Sequence, residues 1–492
     1  MIGLGRLNAQ RWSVGSWVTP MTLVVVVALA ALLSSTVAPG TALAAVLVAA
    51  VAAAIAAGPF LGRAAAERLI LLYIFLTPLN FFILGDSPVS LERQSFGFRL
   101  SASDLVLPLL LVALFHRRLE GGPLPGSRLT FLLVALAIAL SVSWLQSVLF
   151  LGSLTAFSTG KFLGFTYLIV FTAAATSVIR ERALWNQAID ALTLSGAVAG
   201  AIGTVGWLFW RFGFPSPLVD GDRLTSTMWA DPNIFAGLMA VTLILAIART
   251  RFADSSSRWL WAACAAIILT ALILSQSRSG SIAAIVGLAA LAVWYRPSVV
   301  LAGIAALVVT GSLIWAIGIW VDLPVSGGAG IWNDKRFEGT TVESRTEYWR
   351  RGAALLPTES LSGIGVGVFE QTNLVKAGPG SADTFARAHN TYLTSVLELG
   401  VTGTLALVML AGGVLGALRE GLRGLDKTDR WMLSATACAL VSVMVFAVAV
   451  DAMYQRHLWI LIALILASQA AAAAMRSQKG EPAPAQSTGR EG

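Results

Sequence analysis

The chain has 492 residues and a formal net charge of +8, yet only 12% of its residues are charged while 57% are hydrophobic. A soluble globular protein carries about 25% charged residues, so this composition excludes an ordinary soluble domain, and the basic excess reads as membrane topology rather than nucleic-acid binding. Two cysteines, Cys264 and Cys438, both inside apolar runs, argue against a disulfide framework, and no Cys/His spacing indicates zinc.

A spanning helix needs about 20 mostly apolar residues. In chain order, windows of that kind fall near 21–38, 41–58, 68–85, 101–115, 128–150, 160–178 and 188–210. They continue near 231–248, 259–276, 279–295, 298–321, 390–418, 430–450 and 456–475, about fourteen in all. The fourth is the least regular, since it contains Asp104 and Pro108. Basic residues before the first span and TALA at 41–44 imitate a secretory signal, but a second apolar run follows at once, which favours an uncleaved first span.

With the N-terminus inside, every second link carries basic residues, among them HRRLEGGPLPGSR, RERALW, ARTRFADSSSR and REGLRGLDKTDR, as the positive-inside rule requires. The predicted organisation is a cytoplasmic N-terminus at 1–20, a transmembrane bundle at 21–321 and a large extracytoplasmic loop at 322–388. Transmembrane helices follow at 389–475, then a disordered cytoplasmic tail at 476–492. No repeat of 20–50 residues is present.

On this topology four polar stretches face outward, at 211–233, 275–280, 322–388 and 450–457. That side supplies neither ATP nor nucleotide sugars, so chemistry there needs a substrate already activated and already carried across. Arg278 lies in a turn too short to be a solvated loop. It either anchors the chain at the interface or binds an anion, the latter favoured by Ser275, Ser277, Ser279 and Gly280, which can open a helix N-terminus toward phosphate. Arg223, aimed inward, would complete a two-guanidinium clamp with Arg278, because the planar fork of arginine holds phosphate oxygens bidentately. Asp231 before Pro232 reads as a helix N-cap with proline at the first position. Asp220-Gly221-Asp222 has the shape of a metal-binding carboxylate pair, but also of an ordinary turn, and a nucleotide-sugar reaction would face the wrong compartment.

Residues 343–356 have the composition of a helix whose Tyr348, Trp349, Leu355 and Leu356 would lie on the membrane surface, with Arg345, Arg350 and Arg351 meeting lipid phosphates. GIGVGV, at 363–368, lacks the spacing of a dinucleotide fingerprint and reads as a tight turn. His389 ends the loop. Asn390 or Thr391 would cap the next helix and leave the imidazole at its positive end, where protonation is disfavoured. His389 is then either a polar residue that ends a loop or a neutral base. Glu398 is half a turn out of phase with it on a regular helix and is a poor partner.

Together these pieces resemble the O-antigen ligase and polymerase superfamily of bacterial membrane glycosyltransferases. The resemblance rests on Arg223 through ADPN, SRSG at 277–280, R-x-x-x-W at 345–349, P-x-x-x-x-x-G-I-G-V-G-x-F at 357–369, and HNTYLTSVLELG at 389–400. It covers mainly 220–420. It implies an all-α, GT-C-like polytopic membrane protein of about 12–14 transmembrane helices, in the bacterial inner membrane with both termini cytoplasmic. It also implies inverting transfer of a glycan from undecaprenyl pyrophosphate to an acceptor hydroxyl on the outer face, without nucleotide, metal or other cofactor. The acceptor would be a lipid A core sugar, another lipid-linked repeat unit or a protein hydroxyl. Arg223 and Arg278 match arginines that bind the pyrophosphate, and His389 matches the histidine that activates the acceptor. Arg345, Arg350, Asn233 and Asn390 are secondary candidate contacts. Ligases of the family usually have about twelve spans, so a count near fourteen is closer to the polymerases. The competing class, a lipid-linked glycan flippase, would place polar or broken helices near mid-bilayer in both halves, whereas here the polar residues cluster at one face.

Overall fold

Apolar runs alternating with short polar links can only satisfy their backbone in lipid as helices packed side by side. A computed structural model describes residues 63–78, 102–119, 126–214, 216, 218–220, 223–225, 231–295, 340–355, 361–372, 374–376, 383–385 and 388–478. In chain order the helices are α1 (Arg63–Leu76), α2 (Val106–Leu119), α3 (Ser127–Leu151), α4 (Ala156–Val178), α5 (Arg182–Arg211), α6 (Pro232–Phe252), α7 (Ser255–Leu274) and α8 (Arg278–Tyr295). They continue as α9 (Thr340–Leu355), α10 (Val368–Thr372), α11 (Thr391–Gly424), α12 (Lys427–Phe446) and α13 (Arg456–Gln478). Two small antiparallel hairpins sit in the links, β1 (Val219–Asp220) with β2 (Arg223–Leu224) and β3 (Leu374–Lys376) with β4 (Asp383–Phe385). Among the described residues eight helices are long and apolar enough to cross a membrane, and the protein is an all-α polytopic membrane protein. The expected spans at 21–38, 41–58 and 298–321, and the tail from 479, lie outside the described residues.

Helices run past the hydropathy windows where their ends are polar. α5 starts at Arg182 and α6 continues to Phe252, because the charged turns at these ends find partners rather than lipid. Arg182 pairs with Asp426 and Asp429 at 2.5 Å each, and Arg249 with Asp190 at 2.6 Å. Phe252 stacks on Trp431 with ring centroids 5.9 Å apart. The links at 180–185, 248–258 and 419–430 are thereby gathered at one end of the bundle. The irregular fourth span resolves into a 3-10 turn (Ala102–Leu105) followed by α2, with Pro108 in the first turn, where its missing N–H costs nothing. Asp104 receives Arg456 Nε at 3.1 Å and Nη2 at 2.5 Å, so a carboxylate that weakened the span in isolation is paired in the fold.

α6 and α13 are the central helices, α6 packed by α5, α7, α8 and α12, and α13 by α4, α5, α11 and α12. Lipid provides no hydrophobic drive between helices, so close approach of small residues carries the packing. Gly280 of α8 lies against Ala236 of α6, and Gly237 of α6 takes the ring of Phe446 from α12, where a Cβ would come within 2.8 Å of the ring.

The remaining architecture is set by a break in α11. Gly400 has φ 63° and ψ −165°, so the helical ladder cannot continue through it. The Leu397 carbonyl accepts instead from Ile364 N at 2.8 Å, and the Glu398 carbonyl from Gly365 N at 3.2 Å and Ser143 Oγ at 2.6 Å. Thr402 N, freed by the same break, donates to the Leu361 carbonyl at 3.2 Å. The GIGVG stretch is indeed a turn, but one whose backbone replaces the missing rungs of a neighbouring helix. Gly363 and Gly365 have φ of 73° and 103°, and Gly365 lies directly on the Ser147 backbone. A small second core forms around this contact from Ile364, Val368, Phe369, Ala388 and Leu397, with Tyr348, Trp349 and Leu355 of α9 packed against it. These three side chains are half-buried against that core, because the 361–372 segment offers an apolar seat that hydropathy does not reveal, while Leu356 lies outside the described residues.

Gly365→Ala adds a Cβ at a φ that L-residues avoid and in the space of the Ser147 backbone. It is expected to destabilise the protein by about 2–4 kcal/mol, read as a lowered Tm and yield of the detergent-solubilised chain. A wild-type Tm would contradict the interlock.

Candidate functional site

The candidate residues gather at the end of the bundle opposite the ion-paired links, in two groups. The first is built on the β1–β2 hairpin. Leu224 is fully buried and Thr225 N bonds the Leu218 carbonyl at 2.9 Å, which pins the hairpin and holds Arg223 at its edge. Asp231 caps α6 through Asn233 N at 2.8 Å, with Pro232 at the first helical position. The same carboxylate oxygen accepts from Asn233 Nδ2 at 2.8 Å, which turns the amide oxygen outward. That oxygen accepts from Arg223 Nη2 at 3.1 Å and from Ser277 Oγ at 2.8 Å. Arg223 Nε also donates to the Ser275 carbonyl at 3.2 Å. Asn233 is therefore the joint that brings the 223 hairpin and the 275–280 turn together.

The turn itself is short because Gln276 adopts φ 50°, allowing α7 to end and α8 to begin within three residues. Ser277 Oγ accepts from Gly280 N at 3.2 Å and caps α8. Arg278 follows as the first residue of that helix, and its side chain is exposed. The arrangement presents a half-buried guanidinium, an exposed guanidinium and a serine-capped helix N-terminus at one place, which suits an anion. The side chain of Asp220 and all of Asp222 lie outside the described residues.

The second group is the strap 388–391. His389 is half-buried and has φ 47°, a left-handed conformation uncommon outside glycine. It is held from both sides. Asn390 caps α11 by accepting from Leu393 N at 3.0 Å, so its side chain is committed to the helix. Thr391 N donates to the Ala447 carbonyl at 2.9 Å, Thr391 Oγ1 donates to the Val450 carbonyl at 2.9 Å, and Ala452 N donates to Thr391 Oγ1 at 2.7 Å. On the other side Trp349 Nε1 donates to the Ala388 carbonyl at 2.7 Å. The two groups share a brace, since Phe446 packs on Gly237 while the adjacent Ala447 holds Thr391.

Other candidates are placed elsewhere. Arg350 and Arg351 converge on Glu347 at 2.9 and 2.8 Å on the exposed side of α9, and first Arg350 and then Arg351 hold that carboxyl down to about 2. Arg345 belongs to α9, but its side chain lies outside the described residues. Glu398 does turn away from His389. It meets Lys161 Nζ at 3.3 Å, while Glu370 meets the same ammonium at 3.1 Å, all three almost fully buried. Glu398 Oε1 also takes Gly367 N at 2.9 Å. This triad went unnoticed in the sequence, although its signal was present: a lone lysine and a lone glutamate, each inside an apolar span, demand a partner.

Against known proteins, a search of the curated proteins finds no match. The family model described as O-antigen ligase (Wzy_C) matches residues 263–408. That stretch runs from within α7 to within α11 and takes in the 275–280 turn, α9, the GIGVG interlock and His389, while Arg223 and Asn233 precede it. Over that stretch the chain is similar to the O-antigen ligase family.

Proposed function

We propose that this protein transfers a glycan from undecaprenyl pyrophosphate to an acceptor hydroxyl, with inversion and without metal or nucleotide, at the outer face of the bacterial cytoplasmic membrane. The observation that carries the reading is the convergence of an anion-suited cluster (Arg223, Asn233, Ser277, Arg278) and a conformationally held histidine on one end of the bundle, both braced by the end of α12. The basic, ion-paired links occupy the opposite end, as expected if that end faces the cytoplasm.

In this reaction the acceptor hydroxyl gives its proton to His389 as its oxygen bonds to the anomeric carbon. The bond from that carbon to the pyrophosphate oxygen breaks on the opposite face, and the pyrophosphate leaves with the electron pair. Its negative charge grows as it departs, so guanidiniums already fixed in place stabilise the transition state more than the ground state. Arg223 is fixed by Ser275 and Asn233, while Arg278 and the α8 N-terminus meet the outer phosphate. The leaving group supplies the activation, which is why a face without ATP suffices. Arg345 and Arg350 stand outside this core assignment.

The family description, O-antigen ligase, supports the ligase reading, for which the acceptor would be a lipid A core sugar or a protein hydroxyl. Polymerisation, in which a second lipid-linked repeat unit is the acceptor, is the reading favoured by the expected span number. Reconstitution with lipid-linked glycan and each acceptor, with mass analysis of the product, separates the two: a single transferred chain identifies a ligase, a ladder of repeats a polymerase.

His389→Ala is expected to leave a folded protein that binds undecaprenyl pyrophosphate but transfers about 100- to 10,000-fold more slowly. Full complementation of a deletion strain by this variant would remove histidine from the mechanism. Arg223→Ala and Arg278→Ala are each expected to weaken donor binding about 10- to 100-fold, and only Arg223→Ala to lower Tm as well, because it strips partners from Ser275 and Asn233. Unchanged affinity in both would defeat the clamp.

A further inference from the structure

We propose that Trp349 is a positioning residue, whose indole N–H sets the orientation of His389 by fixing the Ala388 carbonyl. This rests on His389 acting as the base. The Ala388 carbonyl and the His389 N–H belong to one planar peptide unit, so pinning the oxygen at 2.7 Å fixes the plane from which φ of His389 is measured. On the other side, Asn390 and Thr391 are immobilised by Leu393 N, Ala447, Val450 and Ala452. With both flanking peptides held, the left-handed φ of 47° is over-determined, and the imidazole leaves the backbone in one direction. Release of the Ala388 carbonyl would let residue 389 relax toward the ordinary right-handed or extended regions and swing the ring away.

The demand on position 349 is specific. The ring packs against the second core of Ile364, Phe369 and Leu397, so a large apolar group is needed, and Ala388 is buried, so its carbonyl needs a donor from within the protein. Tryptophan supplies both in one side chain. Leucine or phenylalanine would fill the seat and leave the carbonyl without its indole donor. A packing role alone would not require the N–H, and that difference is measurable.

The full-length protein in proteoliposomes, supplied with undecaprenyl-pyrophosphate-linked glycan, is compared with Trp349→Phe and with Trp349 replaced by 3-benzothienylalanine, which keeps the bicyclic shape without the N–H. The expected result for the isostere is a modestly lowered Tm, from the buried carbonyl left without its donor, with unchanged binding of undecaprenyl pyrophosphate, unchanged KM for donor and a kcat lowered about tenfold, as for a misaimed base. Trp349→Phe should match it in kcat. Wild-type kcat in the isostere overturns the role, as does a parallel change of Tm, KM and kcat. His389→Ala run alongside separates the two assignments. If it is inactive while the isostere is fully active, only the role of Trp349 fails; if it retains transfer, the base assignment itself has failed.

Discussion

A helix in lipid has to satisfy its own backbone, and α11 does not. At Gly400 the ladder stops, and the carbonyls of Leu397 and Glu398 are completed by Ile364, Gly365 and Ser143. Much of the second group of the site depends on that substitution. It fastens the 361–372 segment to the bundle and turns the Glu398 side chain to Lys161 and Gly367. It also creates the apolar seat into which Trp349 packs, and Trp349 in turn holds the peptide in front of His389. The break costs two rungs of one helix and gains a fixed attachment for the strap that carries the histidine.

The buried triad Lys161, Glu370 and Glu398 belongs to the same device. Removing three charges from water is expensive, and their mutual attraction offsets this only with good geometry and further hydrogen bonds. Here Glu370 comes from the looped segment, Glu398 from the kinked helix and Lys161 from α4, so the charges meet only when all three elements are docked. The triad therefore ties the three elements together. Lys161 also faces the Tyr454 ring at 5.0 Å, which extends the contact toward the link between α12 and α13.

The anion-suited group rests on other supports, a helix cap and one amide. Asp231 orients Asn233, and Asn233 joins Arg223 to Ser277, so two segments distant in sequence are set by a single carboxamide. Its connection to the histidine strap is the end of α12, where consecutive residues Phe446 and Ala447 serve one group each. Donor and acceptor chemistry would thus be held by separate scaffolds that share one rigid support, and a defect in one scaffold should leave the other largely intact.

Features that depend on a few neighbouring residues were readable in the sequence: the spans among the described residues, since hydropathy decides them; the Asp231–Pro232 cap; a cap at Asn390 or Thr391 before α11, which the structure places at Asn390; and the turn at GIGVG. The basic links, read from charge alone, do meet at one end. What the tertiary structure decided are pairings between distant positions. Lys161 and Glu398 are 237 residues apart, Asp104 and Arg456 are 352 apart, and Trp349 reaches Ala388 across 39. It also decided that Arg278 is exposed, that Tyr348 and Trp349 pack against the second core, and that His389 is left-handed. Helix periodicity and capping are local energies written in short stretches, whereas a partner for a buried charge, or a donor for a buried carbonyl, is chosen by which surfaces the packing brings together.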